Sequence, residues 1–269
     1  MAKVKSLGII SLLLLAMLAA RPAVAQPADE ASPQPFSPGE TLTYDVSWSI
    51  FRAGQVTATL GPAQDRSQDA YEIVTQARSQ GFVSLLFNVE NEFRSLVDPH
   101  TLCSHQIHKT INEGRRHKDT RIVFDSARNL AVLDEVDKNK PDAPPKHAEN
   151  AIPGCVADVV TAFYYVRKQP LRVGESFRLP INDGAKTNDV TVEVQAREQI
   201  ETPLGKRDAF RVEPKVFGAL FARKGRMLIW FSDDARRLPL RISASIAVGS
   251  ITGTLRSVTP APAAMPAPR

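Results

Sequence analysis

Two cysteines, two tryptophans, four methionines and five histidines are spread over 269 residues, and each scarcity removes a class of protein. Two thiols build neither a disulfide-dense scaffold nor a four-thiolate metal site. The closest histidines, His105 and His108, stand three apart, so on a strand they face opposite ways and share no metal ion. There is no Gly-x-Ser-x-Gly elbow, no His-Glu-x-x-His helix and no glycine-rich phosphate loop. Beyond residue 25 no apolar run approaches the ~20 residues that a membrane-spanning helix needs. One-sided charge is missing too. The formal +5 falls by three, to +2, once Lys3, Lys5 and Arg21 leave with the N-terminal signal, which is no nucleic-acid signature. No catalytic residue, cofactor or metal ligand is therefore expected, and the reading leans away from an enzyme.

What is present begins with an export signal. Lys3 and Lys5 precede an apolar run from Leu7 to Ala20, and Ala23-Val24-Ala25 offers small residues for cleavage after Ala25. The run is about 14 residues, too short to span a bilayer. Residues 1–25 thus read as a secretory signal peptide, which sends the mature chain to the periplasm with no transmembrane span. Residues 26–38, rich in proline, alanine and serine, read as a disordered leader, and residues 259–269 as a disordered tail. An even cysteine count in an oxidising compartment favours a bond between Cys103 and Cys155, two separate buried thiols being the alternative. Such a bond would stabilise the fold by about 4 kcal/mol in the chain-entropy account.

Between these ends the pattern is β. Leu42, Tyr44, Val46, Trp48 and Ile50 alternate with Thr41, Thr43, Asp45, Ser47 and Ser49, giving one buried face and one wet one. Val56, Ala58 and Leu60 continue after a turn at Arg52-Ala53-Gly54, and Tyr71, Ile73, Thr75 and Ala77 make a third strand. Leu102 to Ile111 and Arg116 to Phe124 form a hairpin around Glu113-Gly114, which places His108 opposite Asp119 and Thr110 opposite His117. Near the C-terminus, Met227 to Phe231, a turn at Ser232-Asp233-Asp234, Leu240 to Val248 and, beyond Gly249, Ile251 to Leu255 give three consecutive strands.

Two segments break the rule. Phe82, Leu85, Leu86 and Val89 recur at helical spacing, and Val156, Val159, Phe163 and Val166 predict a helix from about Cys155 to Lys168, stopped before Pro170. Residues 137–153, with four prolines and many charges, read as a solvated loop and a candidate boundary between two halves. About a dozen antiparallel strands escape an exposed edge by curling. The fold class is all-β and mainly antiparallel: one large curved sheet forming a partly closed barrel with one or two short helices, in a single domain over residues 39–258.

If the curl encloses an apolar cavity, Phe82, Leu85, Leu86 and Val89 are candidates for its lid, with Trp48 and Phe163 beside it; the other reading of the same helix is a core plug. Arg115, Arg116 and Lys118, on the basic hairpin tip, are candidates for binding an anionic head group, against a plain solvated tip. Asp233 and Asp234, followed by Arg236 and Arg237, read as a turn closed by salt bridges rather than as an acid–base pair.

The segments GETLTYDVSW (Gly39–Trp48), RAGQV (Arg52–Val56), EFRSLVDPHTL (Glu92–Leu102), TAFYYVRKQPL (Thr161–Leu171), TPLGKRDAFRVEP (Thr202–Pro214), IWFSDDARRLPLRI (Ile229–Ile242) and GSITGTL cover nearly the whole mature chain in order. They resemble those of a family of exported bacterial proteins, the domain of unknown function 3108 family. The resemblance implies a β-rich envelope protein of unassigned function, similar in architecture to the half-barrels of periplasmic lipoprotein carriers. Members tend to carry a polar Gln-Asp ahead of the AFYY helix, where this chain has Gly154-Cys155-Val156-Ala157-Asp158.

The functional expectation is an exported, non-catalytic envelope protein that binds a lipid or another apolar ligand. The alternative is a protein that binds another envelope protein or a cell-wall polymer through its surface. Alternation leaves both open, since Leu42, Tyr44, Val46, Trp48 and Ile50 line a cavity or fill a core equally well.

Overall fold

A computed structural model describes residues 35–64, 69–215, 225–246 and 248–260. Alternating side chains and short turns give the strands β1 Thr41–Trp48, β2 Phe51–Pro62 and β3 Tyr71–Ser79, then helix α1 Gly81–Leu86. After it come β4 Glu90–Val97, β5 Ser104–Glu113, β6 Arg116–Asp125, β7 Leu130–Asp137 and β8 Lys146–Ala151, then helix α2 Thr161–Lys168. The chain ends with β9 Ser176–Asn182, β10 Thr187–Thr202, β11 Gly205–Lys215, β12 Met227–Ser232, β13 Pro239–Ser245 and β14 Ser250–Thr259.

All fourteen strands join one antiparallel sheet in the order β8-β7-β6-β5-β4-β3-β2-β1-β14-β13-β12-β11-β10-β9. The first and last strands pair in its middle, with Thr41 opposite Thr259 and Trp48 opposite Ile251. The two free edges, β8 and β9, are therefore the strands that flank α2 in sequence. They are not joined by a ladder. Instead the Asn182 amide donates to Asn150 Oδ1 at 2.7 Å, the Asn150 amide to the Gly184 carbonyl at 3.0 Å, and Thr187 Oγ1 to the Ala151 carbonyl at 3.2 Å. The sheet has curled until its edges lie side by side, which is the partly closed all-β barrel that the strand count implied.

Residues of α2 enter the cores of both halves. Tyr164 packs with Ile73, Ile107 and Ile122, whereas Val166 packs with Val192, Val212 and Ile229. The first half of the alternating face of β1 is core, because Leu42 and Tyr44 pack with Ile200, Leu240 and Leu255. Val46 and Trp48 are half-buried, and Ile50 is exposed in the turn, which falls at Ser49-Ile50 because Arg52-Ala53-Gly54 belongs to β2.

Four expectations are corrected. The helix begins at Thr161, not near Cys155, because the buried Asp158 carboxylate accepts the backbone N–H groups of Val160 at 2.7 Å and Thr161 at 3.0 Å. A carboxylate that takes those donors starts a helix instead of sitting inside one. Asp158 also accepts the hydroxyls of Ser95, Ser104 and Thr161, and the Cys103–Cys155 disulfide, with 5.1 Å between Cα atoms, ties the same segment to the strand before it. Residues 137–153 are not all loop, since β8 pairs with β7 from Lys146↔Glu135 to Ala151↔Leu130. The tight turn of the β5–β6 hairpin is Gly114-Arg115, which sets Thr110 opposite Asp119 and His108 opposite Arg121; Gly114 supplies the positive φ of 54°. Phe36 is buried edge-on against Tyr164, 5.2 Å between ring centroids, so packing begins ahead of residue 39. The expected signal peptide, most of the leader and most of the tail lie outside the described residues.

Arg167 of α2 is buried and grips Glu40, just ahead of β1, by two hydrogen bonds of 2.6 and 3.1 Å. Removing one partner of such a pair strands the other charge. Glu40→Leu is expected to lower the unfolding free energy by about 3–5 kcal/mol, and adding Arg167→Met to recover much of it, as read from urea midpoints. A single variant no worse than the double would show that the pair organises nothing.

Candidate functional site: an apolar cavity beneath helix α2

A cavity of about 530 Å³ lies between α2 and the inner faces of both sheet halves. Ala162, Phe163 and Val166 of α2, with Val159 in the turn before it, form one wall; β9 to β12 contribute an apolar surface that includes Leu179, Val192, Ile229 and Phe231. Ile111 and Leu133 close it from the first half. Alternation explains this: residues that all point inward on neighbouring strands make one continuous apolar face.

One end of the cavity differs in character. Across β5 to β8 the register sets Lys109 opposite Thr120, Thr120 opposite Glu135 and Glu135 opposite Lys146, so four polar side chains form a row on one face. All four line the cavity, as do Arg116 and Asp183. Glu135 is held by Lys118 and accepts the Thr120 hydroxyl at 3.2 Å, which keeps its carboxyl below the ordinary glutamate value against the opposing effect of burial. The Asp183 carboxylate accepts the backbone N–H groups of Ala185 and Lys186.

Lys109 is the more enclosed of the row's two lysines. Its ammonium donates to the Asp183 carbonyl at 3.2 Å and forms no ion pair among the described residues. Burial pushes its pKa below the ordinary lysine value, opposed by the weaker pull of Asp158, Asp183 and Glu135.

The sequence-derived candidates distribute unevenly. Phe163 lines the cavity, and so does Arg116, which also reaches Glu113 at 3.5 Å. Lys118 is engaged with Glu135, and Arg115 stands exposed at the hairpin tip. Phe82, Leu85 and Leu86 are 67%, 84% and 63% exposed, so α1 plugs no core, and neither they nor Val89 line this cavity. The cause is anchorage: α1 is tied to β2 through Gln80 N–H to the Ala53 carbonyl at 2.8 Å, whereas most of the cavity wall belongs to the other half of the sheet. Trp48 donates its indole N–H to the Val248 carbonyl at 2.9 Å, at the same end of the strands as exposed Ile50 and Phe51. The Asp234 carboxylate accepts from Ser232 Oγ and from the backbone of Arg236 and Arg237, while Asp233 meets Arg197 and Arg237, so this pair closes a turn. Among the described residues no three His, Cys, Asp or Glu side chains are placed to hold a metal ion. Sequence reading missed Lys109 and Lys146 as lining residues. The alternation of Lys109 with Ile111 carried the first, and an unrecognised polar strand concealed the second.

Fold and site together define a barrel-like antiparallel β protein with a partly open, mainly apolar pocket beneath α2 and a polar row at one end. The chain belongs to the DUF3108 family of proteins of unknown function, whose model matches residues 43–256. Among solved structures, a beta-barrel-like protein of domain of unknown function DUF1849 from Brucella abortus aligns over 83% of this chain and 98% of its own, at 7% identity and a TM-score of 0.55. That likeness is one of fold alone. A Bacteroides fragilis protein with a YmcC-like fold aligns over 84% and 97% at 9% identity, and its TM-score of 0.35 carries no argument. No curated protein matches the chain. No helix among the described residues is long and apolar enough to cross a membrane.

The position of Lys109 has a measurable consequence for stability. Its folded pKa lies below its unfolded one, so between the two values the unfolded chain binds more protons and stability rises with pH; below that window the whole penalty is present. Lys109→Met is expected to raise the unfolding free energy at pH 7 by roughly 0.5–2 kcal/mol, the gain shrinking as pH approaches about 10.5. An unchanged or lower urea midpoint at pH 7 counts against this account.

Proposed function

We propose that this protein is a non-catalytic binding protein of the bacterial envelope, exported to the periplasm, that holds a lipid, an acyl chain or another apolar ligand between α2 and the sheet. The observation that carries the reading is the cavity. Its volume falls within the ~300–1,000 Å³ of small-molecule sites, and its walls are mainly aliphatic and aromatic with a few convergent polar groups. Export is supported by the basic, apolar and small-residue succession of residues 1–25. The other reading, attachment to an envelope protein or cell-wall polymer, draws on apolar side chains exposed at one end of the strands, among them Ile50, Phe51, Leu85 and Val248.

Native mass spectrometry of the mature protein, isolated from the periplasm without detergent, separates the two. Carriage predicts additional mass that denaturation releases as a lipid or acyl compound; a bare polypeptide would favour the surface reading. Ala162 offers the accompanying variant, because it lines the cavity from α2 and a larger side chain there fills space without removing a core contact. Ala162→Phe is expected to abolish the bound mass and weaken binding of the fluorescent probe N-phenyl-1-naphthylamine at least tenfold, with the circular dichroism unchanged. Undiminished probe binding in the folded variant would place the ligand elsewhere.

A further inference from the structure

We propose that the cavity is built for an amphiphile with an anionic head group, a carboxylate or a phosphate, whose head lies against Lys109 and Lys146 and whose chain lies along α2 and the inner face of β9 to β12. This rests on the carrier reading above and specifies its ligand. Lys109 is partly buried, whereas Lys146 reaches the cavity from the exposed edge strand β8. Drawing the Lys109 charge out of water is costly unless a counter-charge meets it, so a site for a neutral hydrocarbon has no use for that ammonium group. Here the two carboxylates that line the cavity are already engaged, Glu135 by Lys118 and Thr120, Asp183 by the backbone of Ala185 and Lys186. The two lysines are not: neither Lys109 nor Lys146 forms an ion pair among the described residues, and Lys109 gives one hydrogen bond, to a carbonyl. An ammonium carries three donors, so two remain for a ligand oxygen.

Position supports the same assignment. Lys109 and Lys146 lie in one cross-strand row, with Thr120 and the Lys118-paired Glu135 between them and Arg116 further toward the hairpin tip. Ile111 and Leu133 mark the apolar border of that row. Cationic groups gathered at one end of an otherwise apolar cavity match a ligand with one charged end and a long uncharged one. The desolvation that lowers the Lys109 pKa is offset when an anion sits beside the ammonium.

The test is displacement of N-phenyl-1-naphthylamine from the mature protein at pH 7 by dodecanoate, dodecyl phosphate and 1-dodecanol, which share a chain and differ at the head. At least tenfold tighter binding of either anion than of the alcohol is expected, and the stronger of the two identifies the head group. Lys109→Met should erase that preference while leaving the alcohol's affinity within about twofold, and Lys146→Met, on an edge strand, should reduce it less. Thermal melts of both variants confirm that they fold. If the alcohol binds the wild type as tightly as the anions, or if Lys109→Met keeps the preference, the head-group assignment is overturned while carriage stands. If neither the probe nor any of the three compounds binds, the carrier reading itself falls.

Discussion

The structure depends on one buried ion pair. Arg167, at the end of α2, and Glu40, before β1, expose 0% and 3% of their side chains, and the guanidinium meets the carboxylate through both of its terminal nitrogens. Arg236 reaches the same carboxylate at 3.1 Å, the Pro35 carbonyl accepts from Arg167 at 2.8 Å, and the rings of Phe36 and Tyr164 lie 5.1 and 5.3 Å from the guanidinium carbon. Burial keeps the phenols of Tyr44 and Tyr164 far above their ordinary pKa, so both stay neutral and Glu40 is the counter-charge. A two-turn helix has too little length to be stable by itself. Its position is set by this pair and, at its other end, by Asp158 and the disulfide-linked Cys155, so α2 is held at both ends.

A helix fixed in that way explains why space remains beside it. Arg167 and Tyr164 draw α2 toward the core of the first half, where Ile73, Ile107 and Ile122 are fully packed. The inner face of β9 to β12 is made of residues just as apolar, and the helix meets it through Val166 and Phe163, with the cavity lying alongside that contact. The opposing requirements are clear. Closing the gap would gain dispersion and hydrophobic energy at ~25 cal/mol per Å² of apolar surface, whereas keeping it open, with Lys109 on the wall, leaves stability unused.

Much of the architecture was legible in the residues. Alternation in Leu42 to Trp48, the aspartate turn after Ser232, and the succession from Met227 to Leu255 report strands directly, because a half-buried strand must alternate. The disulfide was expected from the even cysteine count, read together with an expected export signal. What stayed hidden depends on tertiary contacts. The strand β8, with the sequence KHAENA, has no apolar period, since an edge strand is held by ladder bonds to one neighbour and not by burial. The start of α2 was misplaced because the apolar residues Val156 and Val159 continue the helical spacing, while Asp158, which stops it, acts through Ser95 and Ser104 from distant strands. The apolar spacing of Phe82, Leu85 and Leu86 reported a helix correctly but not its burial, which depends on what lies opposite. Alternation likewise distinguishes inward from outward and is blind to whether inward means packed or empty, so β1 and β10 read alike although one fills a core and the other lines a cavity.

The place where the sheet fails to close is also the place where the cavity lies. Lys146 on β8 and Leu179 and Ile181 on β9 line it, with Asp183 in the turn after β9, so the seam between the two free edges forms part of the cavity wall. A continuous ladder there would contribute a cooperative row of backbone bonds. Three hydrogen bonds involving side chains stand in its stead, each contributing roughly 0.5–1.5 kcal/mol net, together with one isolated bridge between Ala157 and Ile181. The remaining walls are full ladders or a helix fixed at both ends. Of all the boundaries of the cavity, the Asn150–Asn182 seam is therefore the one whose opening costs least, and it borders the row that carries Lys109.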